Sequence, residues 1–547
     1  MRHKILDLLL ATFMLMFLNV VTFSQSKVYN NEIRPGIFQY NVIKTDFQFL
    51  LNDSIYLDCT KFHPDGSFDI GSLPAVIFCH GFGLSKDENI KEAENLASAG
   101  FYTLCYSMRG QGKSEGFSNL ISTVEMKDFV QIVELVKKDS LVNKDFIAAI
   151  GASQGGIIPV MAACYFPGLL RCIISQVASP DFASDWIYNN SIKMSLLWSL
   201  SYDSSIIRYS PYVKKFRSWI LSYKPNNFDS LLRYLPQDRD FSLYLSNNRT
   251  PLLIYSIWQD KFFSVNGWLK TIGQLSAPYM LYAGTFPAHG GEYSQNEQNF
   301  MLQFTNQWIE YWLLGKNNGI VDSNTFQFSA SKYPRINFAW SWEHLSFKTI
   351  KEFQTDSIKL YLAEGNKLYT NPPPNKNSFI FINDVRDTNL SMYEAVNYNF
   401  CGTEFNSKFR KTELVFESDS LTSDLRIIGI PFINLVFNTN TSEVQFNFQI
   451  YENFPNTAPY LISRANYTAR KIKPGLLYSI NFPGLAFSHI FKAGSKIRII
   501  LTNLDNTEYD PFLKTNPFVL PSLKKSITKI YFGGNKLTYI ALPVSKY

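Results

Sequence analysis

The chain has 547 residues, which is enough for two or three domains. Its 52 basic and 45 acidic residues give a formal net charge of +7, and the basic residues are scattered singly. This scatter argues against a nucleic-acid partner, because such proteins concentrate lysine and arginine on one surface. The sequence contains neither Cys-x-x-Cys nor His-Glu-x-x-His, so we expect no metal site and no cofactor.

The N-terminus has the pattern of a secretory signal. A basic tetrapeptide precedes a mostly apolar run from Ile5 to Val21, and small residues suitable for cleavage follow. We therefore predict a signal peptide over residues 1–25 and an exported protein, periplasmic or extracellular in a bacterium. An uncleaved membrane anchor is the alternative. After cleavage we expect no stable membrane span, because no other segment is long and apolar enough.

From about residue 27 to 318, apolar strand-like runs alternate with helical segments, which is the pattern of a mostly parallel sheet covered by helices. The strand 74–79 leads into the loop His80-Gly81-Phe82-Gly83. In a serine hydrolase, a loop at this place supplies one backbone N–H to the oxyanion. We expect Phe82 to be that donor and His80 to brace the loop without a catalytic role.

The most informative motif is Gly151-Ala152-Ser153-Gln154-Gly155, which lies between an apolar strand and a helix-forming run. A G-x-S-x-G motif in this context is typical of a nucleophile elbow, whose strained turn exposes the serine. Glycines two residues before and two after allow the chain to pass closely. The motif predicts Ser153 as nucleophile and the Gln154 N–H as second oxyanion donor. A glycine-rich strand-to-helix turn without function is the alternative.

An acid and a histidine follow the serine in the order that this fold requires. The buried strand over 252–258 leads to Asp260, and the strand 279–284 is followed by a loop that contains His289. Histidine can take and return a proton near neutral pH, and a carboxylate orients the imidazole. We therefore predict a catalytic triad of Ser153, Asp260 and His289.

Two further segments complete the predicted organisation. Residues 181–250 interrupt the alternation with an aromatic, helical stretch, which we interpret as a cap over the active site because ligands bind at the carboxyl ends of the strands. A helical extension packed elsewhere is the alternative. After residue 319 short alternating strands dominate, which predicts a β-sandwich or jelly roll over 319–547. Within it, the Asn- and Pro-rich segment 370–409 is expected to be a long excursion packed onto the sheet.

Taken together, these features resemble the cocaine esterase / X-prolyl dipeptidyl-peptidase family of serine hydrolases. Three short sequence motifs in the C-terminal half, at 421–429, 493–499 and 541–544, add to the resemblance. The resemblance implies an α/β-hydrolase core with a helical cap, followed by a galactose-binding-like jelly roll, and it gives the triad roles to the three residues named above. The chain departs from the family at Phe82, where members often have a tyrosine whose phenol donates to the oxyanion.

We therefore expect an exported serine hydrolase that cleaves an ester or an amide bond through an acyl-enzyme on Ser153. The resembled family contains esterases and acylases as well as enzymes that remove X-Pro dipeptides. The latter need a carboxylate for the free amine, and the sequence identifies none, so a small-molecule ester and a short peptide both stay open as substrates. A carbohydrate- or surface-binding protein with a vestigial hydrolase core is the alternative, and an acyl transferase is a third possibility.

Overall fold

The computed structural model describes residues 39–258, 260–286, 289, 294–336, 339–349, 352, 356–386, 391, 408–505 and 517–545. The predicted signal peptide lies outside these residues. Among the helices of the described residues, none combines the length and the hydrophobicity that a membrane span needs.

The first part of the chain forms a central sheet that is parallel over most of its width. Its strands and those of one small hairpin are, in chain order, β1 (Val42–Leu50), β2 (Tyr56–Pro64), β3 (Leu73–Cys79), β4 (Tyr102–Tyr106), β5 (Val142–Ala152), β6 (Cys172–Gln176), β7 (Ile187–Tyr188), β8 (Ser191–Ile192), β9 (Leu252–Ile257), β10 (Tyr279–Gly284), β11 (Phe326–Ile336) and β12 (Ala339–Phe347). Among the strands of the described residues, β7 and β8 form a separate two-stranded sheet. The others lie in the order β1-β2-β4-β3-β5-β6-β9-β10-β11-β12, and the strands from β4 to β11 run parallel.

Helices cover both faces of this sheet. They are α1 (Ile90–Ser98), α2 (Thr123–Lys138), α3 (Gln154–Tyr165), α4 (Phe182–Trp186), α5 (Met194–Ser199), α6 (Pro211–Ser222), α7 (Pro225–Gln237), α8 (Asn266–Thr271) and α9 (Gln295–Leu314). α2 begins with a capping box, in which Ser122 and Glu125 accept from each other's backbone N–H groups. Apolar side chains on the two faces of the sheet form two separate buried clusters with the helices.

The segment between β6 and β9 is mostly helical and contains α4 to α7 together with the β7–β8 hairpin. Its buried side chains join the apolar cluster on one face of the central sheet. The hairpin also contacts the C-terminal half of the chain, because the Tyr188 hydroxyl donates to Gly484 O (2.5 Å) and the Asn189 amide donates to Asn466 O (2.9 Å). The segment therefore packs against both parts of the molecule.

The C-terminal half is rich in strands. They are β13 (Asp356–Ala363), β14 (Lys367–Tyr369), β15 (Asn377–Val385), β16 (Phe409–Arg410), β17 (Glu413–Glu417), β18 (Leu425–Gly429), β19 (Phe432–Thr439), β20 (Glu443–Asn453), β21 (Tyr460–Arg470), β22 (Tyr478–Pro483), β23 (Phe487–Phe491), β24 (Lys496–Thr502), β25 (Ser526–Phe532) and β26 (Tyr539–Val544). One antiparallel layer has the order β17-β24-β20-β21. The other contains β15, β25, β19 and β22, and the two layers enclose a third buried cluster.

Two of the strands, β15 and β11, were not predicted from the sequence. β15 lies inside the segment 370–409 and pairs with β25 at seven positions, from Asn377 to Asn383, so the expected excursion is wrong for residues 377–385. β11 pairs with β10 and also, further along, with β23 of the C-terminal half. One strand thus joins the central sheet to the strand-rich domain.

Candidate active site

Ser153 lies at the carboxyl end of β5, directly before α3, in a backbone conformation with φ +55° and ψ −123°. A positive φ is unusual for a residue with a side chain and marks a strained turn. The flanking glycines are needed for packing, because a Cβ on Gly155 would lie 2.0 Å from Cys79 O and one on Gly151 would lie 2.5 Å from the same atom. The sequence therefore folds into a sharp elbow pressed against the end of β3.

Asp260 and His289 are in direct contact at the same edge of the sheet. Asp260 is fully buried, and its Oδ2 lies 2.8 Å from His289 Nδ1. Its Oδ1 accepts from the Phe262 N–H at 2.7 Å, so both carboxylate oxygens have a donor. An imidazole that donates from Nδ1 to a carboxylate leaves Nε2 to accept a proton, which is the orientation required of a general base.

The structure places Asp260 and His289 in contact. Ser153 follows β5, and one strand, β6, separates β5 from β9 in the sheet. Among the described residues, no hydrogen bond joins Ser153 Oγ to His289. Hydrogen bonds between nucleophile and base are often long in the free enzyme and tighten in the complex with substrate.

Among the described residues, no acceptor is found for the backbone N–H groups of Phe82 and Gln154, whereas the N–H groups on either side of Phe82 are hydrogen-bonded. Gly81 N–H donates to Glu88 Oε2 (3.1 Å) and Gly83 N–H donates to Gln111 Oε1 (2.8 Å). The Gln111 amide in turn donates to the Gln154 side chain at 3.1 Å, which ties the loop to the start of α3. The two donors predicted for the oxyanion are thus the ones that remain available.

His80 is a structural residue of this loop. Its Nδ1 lies 2.7 Å from Gly81 O, and its Nε2 accepts the Met108 N–H at 2.8 Å. An imidazole that accepts at Nε2 and donates at Nδ1 is neutral. Burial lowers the pKa of His80 to about 4, so the ring keeps this form at neutral pH. In the loop that follows β4, Arg109 pairs with the buried Asp128 carboxylate through Nε and Nη2, both at 2.5 Å.

Four aromatic side chains connect the predicted oxyanion loop to the predicted base, and we call them the aromatic wall: Phe82, Tyr202, Trp198 and Phe262. Consecutive ring centroids are 5.9, 5.7 and 5.5 Å apart, and the Phe262 ring lies 4.8 Å from His289. Such separations are those of favourable aromatic contacts. Two members, Tyr202 and Trp198, come from the helical segment 181–250. The sequence shows that this segment is aromatic, but it does not show which residues these rings contact.

Asn266 links the segment that contains Asp260 to the C-terminal domain. This buried side chain accepts from the Ala486 N–H (2.8 Å) and donates to Gly484 O (2.9 Å). It stands at the start of α8, six residues after the acid. No sequence pattern indicates this role, because an asparagine near a helix start is ordinarily interpreted as a cap.

Two buried ionisable side chains, Lys193 and Asp185, were not predicted from the sequence. Lys193 is fully buried; burial lowers the pKa of its ammonium, and the carboxylates of Asp185 and Asp260 oppose that shift. Burial raises the pKa of Asp185 to about 6, although its Oδ1 accepts from both Ser264 N–H and Oγ–H. No cluster of three or more His, Cys, Asp or Glu side chains suited to a metal ion occurs within the described ranges.

Comparison with known families gives two matches that together span most of the chain. Residues 74–201 match the α/β hydrolase fold, and residues 311–540 match the X-Pro dipeptidyl-peptidase C-terminal non-catalytic domain. Among curated proteins, the chain is 24% identical over 304 residues to the "Putative Xaa-Pro dipeptidyl-peptidase" of Bacillus cereus, which covers 53% of this chain and 45% of the relative. The protein of the same name from Bacillus anthracis is 23% identical over 308 residues. The chain thus spans about half the length of these relatives.

Solved structures agree on the fold. A CocE/NonD family hydrolase from Staphylococcus aureus matches with a TM-score of 0.71 at 14% identity, over 92% of this chain and 94% of that one. An α-amino acid ester hydrolase matches with a TM-score of 0.67 at 13% identity, over 92% and 97%. The predicted fold class is confirmed as an α/β-hydrolase core followed by a strand-rich domain, while the jelly-roll topology stays a prediction. The two domain matches and the Bacillus relatives support the resemblance to the cocaine esterase / X-prolyl dipeptidyl-peptidase family.

Proposed function

We propose that this protein is a hydrolase that cleaves an ester or amide bond through an acyl-enzyme on Ser153, with His289 as general base and Asp260 as the acid that orients it. The observation that supports the proposal most directly is the 2.8 Å contact between Asp260 and His289. All three residues follow the carboxyl ends of parallel strands, Ser153 after β5, Asp260 after β9 and His289 after β10.

The steps follow from this arrangement. Ser153 Oγ attacks the substrate carbonyl carbon while its proton passes to His289 Nε2, and Asp260 stabilises the imidazolium. The carbonyl oxygen becomes an oxyanion that accepts from the N–H groups of Phe82 and Gln154, each worth about 3 kcal/mol in the transition state. His289 then protonates the leaving group, whose bond to carbon breaks. A water molecule, deprotonated by the same nitrogen, releases the acid and restores the serine.

The aromatic wall bears on the substrate. It offers an aromatic surface between the oxyanion loop and His289, which suits an apolar group on either side of the scissile bond. None of its four members has the carboxylate that would bind the free amine of a peptide. The Bacillus relatives are named Xaa-Pro dipeptidyl-peptidases, so removal of an X-Pro dipeptide is a candidate activity beside ester cleavage.

The test compares two chromogenic substrates on the purified protein, glycyl-prolyl p-nitroanilide and p-nitrophenyl butyrate, with Ser153→Ala as control. Serine-dependent cleavage of the anilide identifies a dipeptidyl peptidase, and cleavage of the ester alone identifies an esterase or acylase. Activity that survives in Ser153→Ala contradicts the mechanism. A folded protein that cleaves neither substrate and does not react with a fluorophosphonate supports a binding protein with a vestigial core.

We also propose that the protein is exported, on the basis of the basic and apolar N-terminal pattern. The mature protein from secreting bacterial cells should begin near residue 26. Intact mass measurement of protein from the periplasm and medium tests this, and a full-length mass confined to the cytoplasm would contradict it.

A further inference from the structure

The loop that contains His289 begins and ends beside one side chain. It follows Gly284, the last residue of β10, and precedes Ser294, which caps α9. Glu297 lies in the first turn of that helix, and its N–H donates to Ser294 Oγ at 3.3 Å. Its side chain contacts the residues at the end of β10, where the loop begins.

The Glu297 carboxylate accepts three hydrogen bonds at that point. Oε1 accepts from the Thr285 N–H and from the Tyr282 hydroxyl, both at 2.8 Å, and Oε2 accepts from Thr285 Oγ1 at 3.1 Å. The side chain is fully buried. Burial raises the pKa of Glu297 and these donors oppose the shift. An ionised carboxylate only accepts, so it is the group that matches three converging donors.

The same contact reaches the segment that contains the acid. A Cβ on Gly284 would lie 2.4 Å from Glu297 Oε1, so the carboxylate rests against the bare backbone at the end of β10. Gly284 O accepts the Trp258 N–H at 3.1 Å, two residues before Asp260. The segment that contains the base therefore starts at the backbone that Glu297 contacts, and one hydrogen bond joins the segment that contains the acid to the same backbone.

We propose that Glu297 is a positioning residue that keeps the His289 loop in register with Asp260. The inference rests on the proposed function, because it assigns Glu297 to the same reaction. Glu297 does not touch the reacting atoms; it fixes Thr285, four residues before His289. Displacing a catalytic group by about 1 Å typically costs on the order of 100-fold in rate, so a side chain that sets the start of the loop affects turnover more than substrate binding.

The test is Glu297→Gln, with Glu310→Gln on the same helix as matched control. Glutamine keeps the shape, but its NH₂ group cannot accept from Thr285, whereas Glu310 pairs with Lys316 at the surface. On the better chromogenic substrate we expect Glu297→Gln to lower kcat by about 10-fold or more, with KM within about 2-fold of wild type. Glu310→Gln should leave kcat and KM unchanged. A wild-type kcat in folded Glu297→Gln, or equal effects of the two variants, overturns the inference.

A second variant decides the matter if Glu297→Gln does not fold by circular dichroism. Thr285→Val keeps the shape of the side chain and removes only the hydroxyl that donates to Oε2. A kcat lowered at constant KM supports the inference, and an unchanged kcat overturns it. Failure of the proposed function has a different signature, namely no activity in the wild type that Ser153→Ala abolishes.

Discussion

The close approach of Gly155 to β3 gives a sharp test of the elbow. In Gly155→Ala the new Cβ would lie 2.0 Å from Cys79 O, 2.6 Å from Cys79 C and 2.9 Å from His80 O. Cys79 is the last residue of β3, is buried, and pairs with Gly151 of β5. The atoms in the way therefore belong to backbone that is held in the sheet.

The size of the effect follows from these distances. A carbon and a carbonyl oxygen normally approach to about 3.3 Å, so the overlap is about 1.3 Å. Overpacking in a rigid core usually costs about 1–3 kcal/mol and more when the neighbours cannot shift, so we expect a loss of about 3 kcal/mol or more in the free energy of unfolding. Any relief moves α3 away from β3 and separates the Gln154 N–H from Phe82, so turnover should fall by about 100-fold or more.

Gly273→Ala is the matched control. Gly273 is exposed and no heavy atom lies within 4 Å of its hypothetical Cβ, so its free energy of unfolding should change by less than about 1 kcal/mol. Urea unfolding gives the stabilities, and the Ser153-dependent chromogenic assay gives the turnover. Wild-type stability together with wild-type turnover in Gly155→Ala would refute the reasoning about the elbow.

Two further predictions concern groups beside the site. Asn266→Ala removes the acceptor of the buried Ala486 N–H and one of two donors to Gly484 O, which keeps the Tyr188 hydroxyl. It should destabilise the fold by about 1–3 kcal/mol and lower kcat, measured by urea unfolding and the chromogenic assay; an unchanged kcat would contradict a role in holding the segment that contains Asp260. Burial raises the pKa of Glu88 from 4.5 to about 8, so the stability from its bound proton is present below 4.5 and lost as pH rises through about 8. The free energy of unfolding of Glu88→Gln should therefore rise relative to wild type between pH 5 and 8, and a constant difference would count against this.

The parts of the site that the sequence could predict are those encoded by chain order and local pattern. β9 and β10 are parallel neighbours paired at six positions, so residues that follow their carboxyl ends must meet at one edge of the sheet. This topology is the physical reason that Asp260 and His289 are in contact although 29 positions separate them. The elbow was also predictable from the sequence. Its two glycines are required because a Cβ at either position would collide with the end of one neighbouring strand, β3.

The parts that the sequence could not predict depend on contacts between distant segments. Ser294-Gln295-Asn296-Glu297 has the spacing of a capping box, in which the glutamate would satisfy the N–H of the serine. In the structure the carboxylate instead accepts from Thr285 and Tyr282, which the spacing does not reveal. β15 was missed for a related reason, since a strand in Asn- and Pro-rich surroundings is stabilised by a partner, β25, that lies about 150 residues away.

Two hydrogen bonds connect the segment that contains Asp260 to the C-terminal domain and to β11, the strand that joins this domain to the central sheet. Asn266 accepts from Ala486, and the Trp258 indole N–H donates to Ser329 O of β11 at 2.9 Å. These two residues stand on either side of Asp260 in the chain, so both ends of the segment that contains the acid are bonded to β11 or to the turn before β23. Because β11 also pairs with β23, the position of the acid is fixed by the joint between the two domains. The strand-rich domain, which contributes none of the predicted catalytic groups, therefore helps to determine where the carboxylate that orients His289 is held.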